Sequence, residues 1–374
     1  MKRTVIAATI ILVAIVLTSV FAALQLFRKT ETPIYVGVEV AYEHGTATDV
    51  EVMVDRIRHY ANLIVIGSLD ISFNETALNE TCDYVSNAGL NFIVLFTDST
   101  KYTYSIFDWM SAAKQKYGDK FLGVYRYDEP GGNQIDQGPE ILVDNATSYN
   151  DAASQYISGL GGLISFYRGY APQVFTADYA LQWFDYECNY SAVFSEFVSN
   201  NTREIAVAQC RGATSSFGRD WGVMIAWKYD AQPYIEPSTE MYDDMVSAYK
   251  AGAKYVIVFD FPKLNTYGIL TDDHFNAIRQ FWEYVNEKPQ DFGSQKATTA
   301  YVLPEDYGFG LRRADDRIWG LFGPDELSAK VWSDVNKLVG QYGFGLDIVF
   351  DEVGVVNAAR SRYGRLIFWN ETVT

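Results

Sequence analysis

The sequence contains few of the residues that metal sites and disulfide frameworks require. There are 3 cysteines and 3 histidines among 374 residues. The odd cysteine count allows at most one disulfide and leaves one thiol over, and neither residue type shows metal-ligand spacing. We therefore expect no metal site and no disulfide scaffold from these positions, which are Cys82, Cys188, Cys210, His44, His59 and His274.

Basic residues and phosphate-binding loops are also scarce. Lys and Arg together number 30 against 47 Asp and Glu, so the net charge is −17. This balance argues against a nucleic acid partner, because phosphate binding needs a basic face. No Gly-rich phosphate loop follows the first predicted strand, and neither a Walker loop nor a Gly-x-Ser-x-Gly elbow occurs. The sequence therefore predicts no cofactor.

Aromatic residues, by contrast, are abundant, with 27 Tyr, 23 Phe and 8 Trp. Most of them are expected in the core or on half-buried strands. Their number also suits a sugar-binding cleft, because an aromatic face packs against the apolar face of a pyranose while Tyr hydroxyls remain free to hydrogen-bond. The predicted partner is therefore a carbohydrate, either a polysaccharide or a glycan.

The N-terminus carries a long uncharged run. Residues 4–27 are flanked by basic pairs and are long enough to cross a bilayer. We predict that residues 1–30 form a signal anchor in the cell membrane, single-pass, with the bulk of the chain extracellular. Alternatively, residues 20–22 form a cleavage site and the protein is secreted. Export as a glycoprotein is supported by six Asn-x-Ser/Thr sequons, at Asn74, Asn79, Asn145, Asn189, Asn200 and Asn370.

From residue 31 onward, short continuous apolar runs alternate with segments of helical periodicity. This pattern is typical of parallel strands covered on both faces by helices. It predicts a closed (β/α)8 barrel over residues 31–288, with an open doubly wound sheet as the competitor. Within it, residues 204–210 are predicted as a strand and residues 180–198 as an interrupted helix.

A linker at residues 288–297 separates the barrel from a predicted small α/β domain, residues 298–374. Its strands are expected at residues 299–303, 346–350 and 365–369, with a helix at residues 326–342. The polar loop of residues 305–325 is expected to pack on the barrel and stiffen it. The alternative is a flap that closes one end of a substrate cleft.

The stretch from residue 121 to residue 132 organises the predicted barrel. It begins as a strand and ends abruptly at Asp128-Glu129-Pro130, followed by two glycines. Proline cannot continue the ladder, so two carboxylates stand where this strand leaves the sheet. In a barrel of parallel strands, catalytic groups are mounted at that end.

Other predicted strand ends carry acids and aromatic residues that would meet at the same rim of the barrel. Glycosidic cleavage needs two carboxyls, one protonated and one ionised, and aromatic neighbours would provide the dry environment and a stacking surface. Arginines there would orient carboxylates or bind hydroxyls. The candidate substrate-binding residues are Glu39, Tyr42, Asp98, Arg126, Tyr127, Asp178, Trp183, Arg211, Trp227, Tyr229 and Glu236.

The end of the fourth predicted strand resembles the Asn-Glu-Pro that ends the same strand in the large clan of retaining (β/α)8 glycoside hydrolases. The resemblance implies that Glu129 is the acid/base residue. Asp128 replaces the usual Asn, which puts the contact to the sugar 2-hydroxyl in doubt. The clan's nucleophile is a Glu that ends the seventh strand, and no Glu stands there in this chain. Asp230, Glu236 or Asp260 would have to substitute for it.

Two functions of different class remain open. The first is a membrane-anchored extracellular glycosidase that uses paired carboxylates, with Glu129, Asp128, Asp230 and Asp260 as candidate catalytic residues. The second is a catalytically inactive barrel that binds glycans or serves as a structural component of the cell envelope. The acidic, aromatic rim favours the first hypothesis, and the missing Glu on the seventh strand favours the second.

Overall fold

A computed structural model of the chain describes residues 34–373. Within this range a closed parallel barrel of eight strands runs in sequence order, and each strand pairs with the next. The first strand pairs with the eighth and so closes the barrel. The predicted (β/α)8 barrel is confirmed. Its strands are β1 (Tyr35–Val40), β2 (Leu63–Ile66), β3 (Asn91–Phe96), β4 (Phe121–Arg126), β5 (Val174–Asp178), β6 (Ala192–Phe197), β7 (Asp220–Ile225) and β8 (Tyr255–Asp260).

Helices cover the outer face of the barrel. The helix α1 begins after the N-cap Thr46, which forms a capping box with Asp49, the third helical residue. The helices up to β8 are α1 (Ala47–Ile57), α2 (Leu69–Phe73), α3 (Glu75–Asn87), α4 (Ile106–Tyr117), α5 (Pro130–Asp136), α6 (Tyr149–Tyr167), α7 (Gln182–Glu187), α8 (Arg203–Phe217) and α9 (Ser238–Ala251). After β8 follows α10 (Asp272–Glu287).

Two segments differ from the sequence prediction. Residues 204–210 lie in the helix α8 and not in a strand, and their buried residues Ile205 and Ala208 recur at helical spacing. The sixth strand is instead β6, inside a segment that the sequence pattern assigned to a helix. The strand is buried along its whole length even though it contains Ser195 and Glu196.

Alternate strand residues point into the barrel and meet in an inner apolar cluster, whereas the others pack under the helices. On β6 the inward residues are Ala192 and Phe194, and on β8 they are Tyr255 and Ile257. The same alternation directs Glu196 inward, while Asp260 faces outward. This parity decides which strand-end acids reach the barrel mouth.

A second, smaller sheet follows the barrel. Its strands are β9 (Thr299–Leu303), β10 (Leu346–Phe350) and β11 (Arg365–Phe368), and they are parallel in the order β10-β9-β11. The helices α11 (Glu326–Tyr342) and α12 (Val355–Arg362) connect them. The sheet packs on α8, where Gly212 lies so close to the carbonyl of Ile348 that a side chain would collide with it. Barrel and sheet therefore form one compact unit.

Two further predictions concern residues outside the barrel core. Residues 4–27, predicted as the membrane anchor, lie outside the described residues. Among the helices of residues 34–373, none is long and apolar enough to cross a membrane. All three cysteines are buried and unbridged, so the single disulfide that the sequence allowed is not formed.

Candidate active site

The turn after β4 places two consecutive carboxyls in the barrel mouth. Tyr127 and Glu129 both have left-handed backbone conformations, with φ values of 62° and 49°. Such conformations cost about 1–3 kcal/mol each in non-glycine residues and persist only where the surroundings enforce them. The two reversals bracket Asp128, so that the side chains of Asp128 and Glu129 line the same cavity and do not alternate to opposite faces.

That cavity, termed here the central cavity, has a volume of about 280 Å³. Four carboxyls line it, from Glu39 on β1, Asp128 and Glu129 after β4, and Glu196 on β6. The remaining wall is mostly apolar and aromatic, and consists of Tyr125, Val198, Met224, Ala226, Trp227, Phe259 and Phe261. The site is therefore a small cavity with four acidic side chains and an otherwise mostly apolar wall.

Two wider cavities adjoin the central cavity. The Asp98 cavity, of about 530 Å³, shares Glu39, Asp128 and two phenylalanines with it. The Arg312 cavity, of about 470 Å³, shares Glu129 and Val198 with it. The two shared acids at the turn thus separate the cavities, with Asp128 on one side and Glu129 on the other. Together the three cavities form a groove across the barrel mouth.

Glu129 and Glu196 form a carboxyl pair. Their side chains are in hydrogen-bonding contact, which requires a proton on one of them. Burial raises the pKa of both groups, and that of Glu196 is raised further by the charge of Glu129. Glu196 is the more deeply buried, with 5% of its surface exposed. Glu196 therefore retains the proton and donates it to Glu129, which is half-buried at the edge of the groove.

Asp128 and Glu39 form the opposite acidic couple. Burial raises the pKa of Glu39 well above its usual range, and the charge of Asp128 adds to the effect. Asp128 is exposed as a residue, but its carboxyl is enclosed by the cavity wall and lies beside Glu129, and this raises its pKa to about 7. The Tyr125 hydroxyl donates a hydrogen bond to Asp128 and so favours its ionised form. Asp128 is thus the carboxyl of this couple that ionises first.

Asp178 supports the turn that carries one carboxyl of each couple. Its carboxylate accepts hydrogen bonds from the backbone amides of Gly131 at 2.5 Å and Gly132 at 2.9 Å, and from Ala180 at 3.0 Å. The amides of Gly131 and Gly132 belong to the first turn of α5, and Glu129 is the residue that precedes this helix. Asp178 therefore fixes the position of Glu129 and does not line the central cavity.

We expect Asp178→Ala to lower the free energy of unfolding by roughly 2–5 kcal/mol, because it leaves buried amide donors unpaired at about 1–3 kcal/mol each. Urea denaturation of the variant and the wild type measures this loss. The matched control is Asp230→Ala, because Asp230 is exposed on the loop after β7 and such substitutions stay within about 0.5 kcal/mol. Equal losses in the two variants would show that Asp178 does not hold the turn.

The structure places several predicted site residues away from the central cavity. Asp260 faces outward and accepts hydrogen bonds from the Tyr42 hydroxyl and from the amide of Ile269. Glu236 is buried in an ion pair of 2.9 Å with Arg203. Asp230, on its exposed loop, does not line any of the three cavities. Consequently none of the three proposed substitutes for the strand-seven Glu reaches the site.

Two predicted sugar-binding residues lie instead at the contact between the barrel and the smaller sheet. Trp183 is buried and donates to Glu352 at 2.7 Å. Arg211 lies within α8, which the sequence pattern took for a strand, and forms an ion pair of 2.8 Å with Asp347. Both residues hold the smaller sheet against the barrel, so their predicted role in binding substrate does not agree with their position.

Four other predicted residues lie around the groove. Tyr42 and Asp98 line the Asp98 cavity. Arg126 is buried behind Asp98, binds its carboxylate, and lies between the rings of Tyr127 and Tyr167. The Tyr127 hydroxyl donates to the carbonyl of Glu140, so this ring braces the turn. Tyr229 is 39% exposed beyond Trp227 and does not line any of the three cavities.

Glu196 is the site residue that the sequence pattern missed. Its segment, from Ala192 to Phe197, alternates apolar and polar residues too weakly to stand out from its helical surroundings. A signal was present in the run of β-favouring residues Val193, Phe194 and Phe197 after Tyr190. Among residues 34–373, no group of three or more His, Cys, Asp or Glu side chains is arranged to hold a metal ion.

Comparison with known proteins identifies the fold. No protein-family model and no curated protein matches the sequence. Among solved structures, the alpha-L-fucosidase isoenzyme 2 from Paenibacillus thiaminolyticus matches with a TM-score of 0.51 and 12% identity, over 89% of this chain and 59% of that one. The chain thus spans 59% of the fucosidase's length.

Two further glycosidases match more distantly. The endo-1,4-beta-mannanase from Eisenia fetida has a TM-score of 0.44 and 9% identity, over 66% of this chain and 90% of that one. The GH5-4 broad specificity endoglucanase from an uncultured bovine rumen ciliate has a TM-score of 0.42 and 8% identity, over 68% of this chain and 96% of that one. At such identities the likeness concerns the fold alone. The chain therefore has a glycoside-hydrolase-like (β/α)8 barrel fold.

Proposed function

We propose that the protein is a glycosidase that cleaves within a carbohydrate chain, with Glu129 as proton donor and Asp128 as the ionised carboxylate. The observation that carries the proposal is the division of the four cavity carboxyls into two couples. The Glu129–Glu196 pair holds a proton, whereas Asp128 ionises near neutral pH. Glycosidic cleavage needs this combination of one protonated and one ionised carboxyl.

In the proposed reaction, each part of the substrate occupies its own part of the groove. A sugar in the central cavity has Asp128 and Glu39 on the side of the Asp98 cavity and Glu129 on the side of the Arg312 cavity. As the bond breaks, Glu196 passes its proton to Glu129 through their shared hydrogen bond, and Glu129 delivers it to the leaving oxygen. The Asp128 carboxylate stabilises the positive charge that develops at the anomeric carbon. Water then adds to that carbon, and the proton that it loses returns to the Glu129–Glu196 pair.

Room on both sides of the central cavity favours cleavage inside a chain over removal of a terminal sugar. The Asp98 cavity extends past one side and the Arg312 cavity past the other, with volumes of about 530 and 470 Å³. The loop of residues 305–325, between β9 and α11, contributes Arg312 and Arg313 to the groove. Because Arg312 is bound to Asp136 and Asp316, the loop of residues 305–325 is held against the barrel as a fixed wall.

The expected result is that the full chain converts a polysaccharide into oligosaccharides of several lengths, and that terminal single sugars are not its first product. Screening against soluble polysaccharides, with product sizes followed over time by chromatography, measures this. We place the protein outside the cell on its N-terminal anchor, supported by residues 4–27 and the sequons. The N-terminal mass of the same preparation separates an intact anchor from a cleaved, secreted form. Binding of a glycan without hydrolysis of any substrate would favour the inactive, glycan-binding alternative.

A further inference from the structure

The central cavity contains four carboxyls and no basic group to balance them. Neither Lys, Arg nor His is among its lining residues. Two arginines around the groove bind other carboxylates, Arg126 that of Asp98 and Arg312 that of Asp136. A buried acidic cavity that no basic side chain lines is unusual, because buried charges in proteins are normally paired.

Two of these carboxyls have an oxygen without any hydrogen-bond partner. They are Oε2 of Glu39 and Oε2 of Glu196, on side chains that are 2% and 5% exposed. Buried polar atoms are satisfied in the great majority of cases, so an orphaned pair of acceptors in one cavity indicates a ligand that brings donors. Both residues lie on barrel strands, β1 and β6, which fix the positions of their backbones at the cavity.

Part of the wall of the central cavity is aromatic. Trp227 and Phe261 stack at a centroid distance of 5.7 Å and an interplanar angle of 14°. The Trp227 indole is held by a hydrogen bond of 2.6 Å to the Phe261 carbonyl, and Phe259 packs beside Phe261 at 6.2 Å. Aromatic faces attract cations through their quadrupole, and ammonium groups are recognised by combinations of such faces.

We propose that the central cavity selects a sugar that carries a free primary amine, with its ammonium group between Glu39 and the aromatic wall of Trp227, Phe259 and Phe261. This inference rests on the proposed function, since it takes the cavity as the sugar-binding site. Three N–H donors of the ammonium would satisfy the orphaned Glu39 oxygen, and charge-assisted hydrogen bonds of this kind are the strong ones. The substrate class is therefore a polymer that contains 2-amino-2-deoxy sugars without N-acetylation.

Binding of an ammonium sugar should change the protonation of Glu39. Burial keeps the pKa of Glu39 raised, and the charge of Asp128 adds to the effect. The other titratable groups of the two cavities that Glu39 lines are Tyr125, Glu129 and Glu196 in the central cavity and Tyr42, Glu43, His44, Asp70, Asp98 and Lys101 in the Asp98 cavity. A cation placed against Glu39 favours its ionised form. Binding of an ammonium sugar therefore releases a proton, whereas binding of a neutral sugar does not.

Isothermal titration calorimetry of the full chain at pH 6.5, in two buffers of different ionisation enthalpy, tests this. The probes are D-glucosamine and D-galactosamine against glucose, galactose and their N-acetylamino counterparts. We expect at least about tenfold tighter binding of the amines, corresponding to one charge-assisted contact. We also expect proton release for the amines alone. Glu39→Gln should abolish both effects, and the control Glu80→Gln, an exposed residue on α3, should leave them unchanged.

Equal affinity for amine, hydroxyl and acetamide sugars would overturn the proposal, as would amine binding without proton release. If Glu39→Gln does not fold, the affinities and the proton release measured on the wild-type protein still decide whether the cavity selects amines. Hydrolysis of neutral polysaccharides without any preference for amines would refute this inference and leave the proposed function intact. Tight amine binding without hydrolysis of any glycan would refute the proposed function and leave the binding site.

Discussion

Glu129→Gln is expected to lower turnover on an unactivated glycan by roughly 10²–10⁴-fold, the loss typical of a missing general acid. The amide keeps the size of the side chain and can still accept the hydrogen bond from Glu196. It cannot donate a proton to a leaving oxygen. Glu129 alone borders both the central cavity and the Arg312 cavity among the four carboxyls, so no other group of the site is placed to replace it.

The leaving group separates an acid from a positioning role. A dinitrophenyl glycoside of the same sugar needs no proton to depart, so the variant should lose little on it while losing most of its turnover on the natural linkage. Steady-state kinetics on both substrates measures the difference. Asp128→Asn is the matched comparison, because loss of the ionised carboxylate should slow both substrates alike. An equal loss on both substrates in Glu129→Gln would mean that Glu129 is not the proton donor.

The sequence was sufficient to predict the barrel and three of the four carboxyls of the central cavity. Continuous apolar runs such as that of β2 are buried along their whole length, and only parallel strands under helices require this. Glu39 was identified because a charge interrupts such a run, and the Asp128-Glu129 turn because Pro130 breaks the strand. In both cases a local irregularity in a strong pattern predicted a residue at the mouth.

The sequence could not predict which strand face Asp178 and Asp260 occupy, because alternation between the two faces depends on where each strand starts. Asp178 and Asp260 end their strands one position after an inward residue, so both face away from the central cavity. A shift of one residue changes the face of every side chain in a strand. The left-handed turn at Tyr127 and Glu129, which brings neighbouring carboxyls together, has no signature in residue type either.

The fold should also be more stable in mild acid than at neutral or alkaline pH. Burial raises the pKa of Asp178 and Asp260 to about 7. In the unfolded chain these groups titrate near pH 4, so between pH 4 and 7 the folded state holds more protons. Their stabilising contribution is complete below about pH 4 and is lost as the pH rises through their folded values. Lower net charge acts in the same direction. We expect an apparent melting temperature about 5–10 °C higher at pH 5 than at pH 8.

Asp260→Asn isolates one of these groups, since Asp260 lies outside the three cavities. Between pH 5 and 6, a carboxyl that is protonated when folded and ionised when unfolded contributes a slope of about −1.4 kcal/mol per pH unit to the free energy of unfolding. The variant should lose that slope, because an amide does not titrate, while it still accepts one of the hydrogen bonds from Tyr42 and Ile269. Urea denaturation at half-unit pH steps measures it, and the exposed Asp230→Asn should keep the wild-type slope. A variant whose slope matches the wild type would show that Asp260 is already ionised in the folded protein at pH 5, and the stability of the barrel in acid would then need another source.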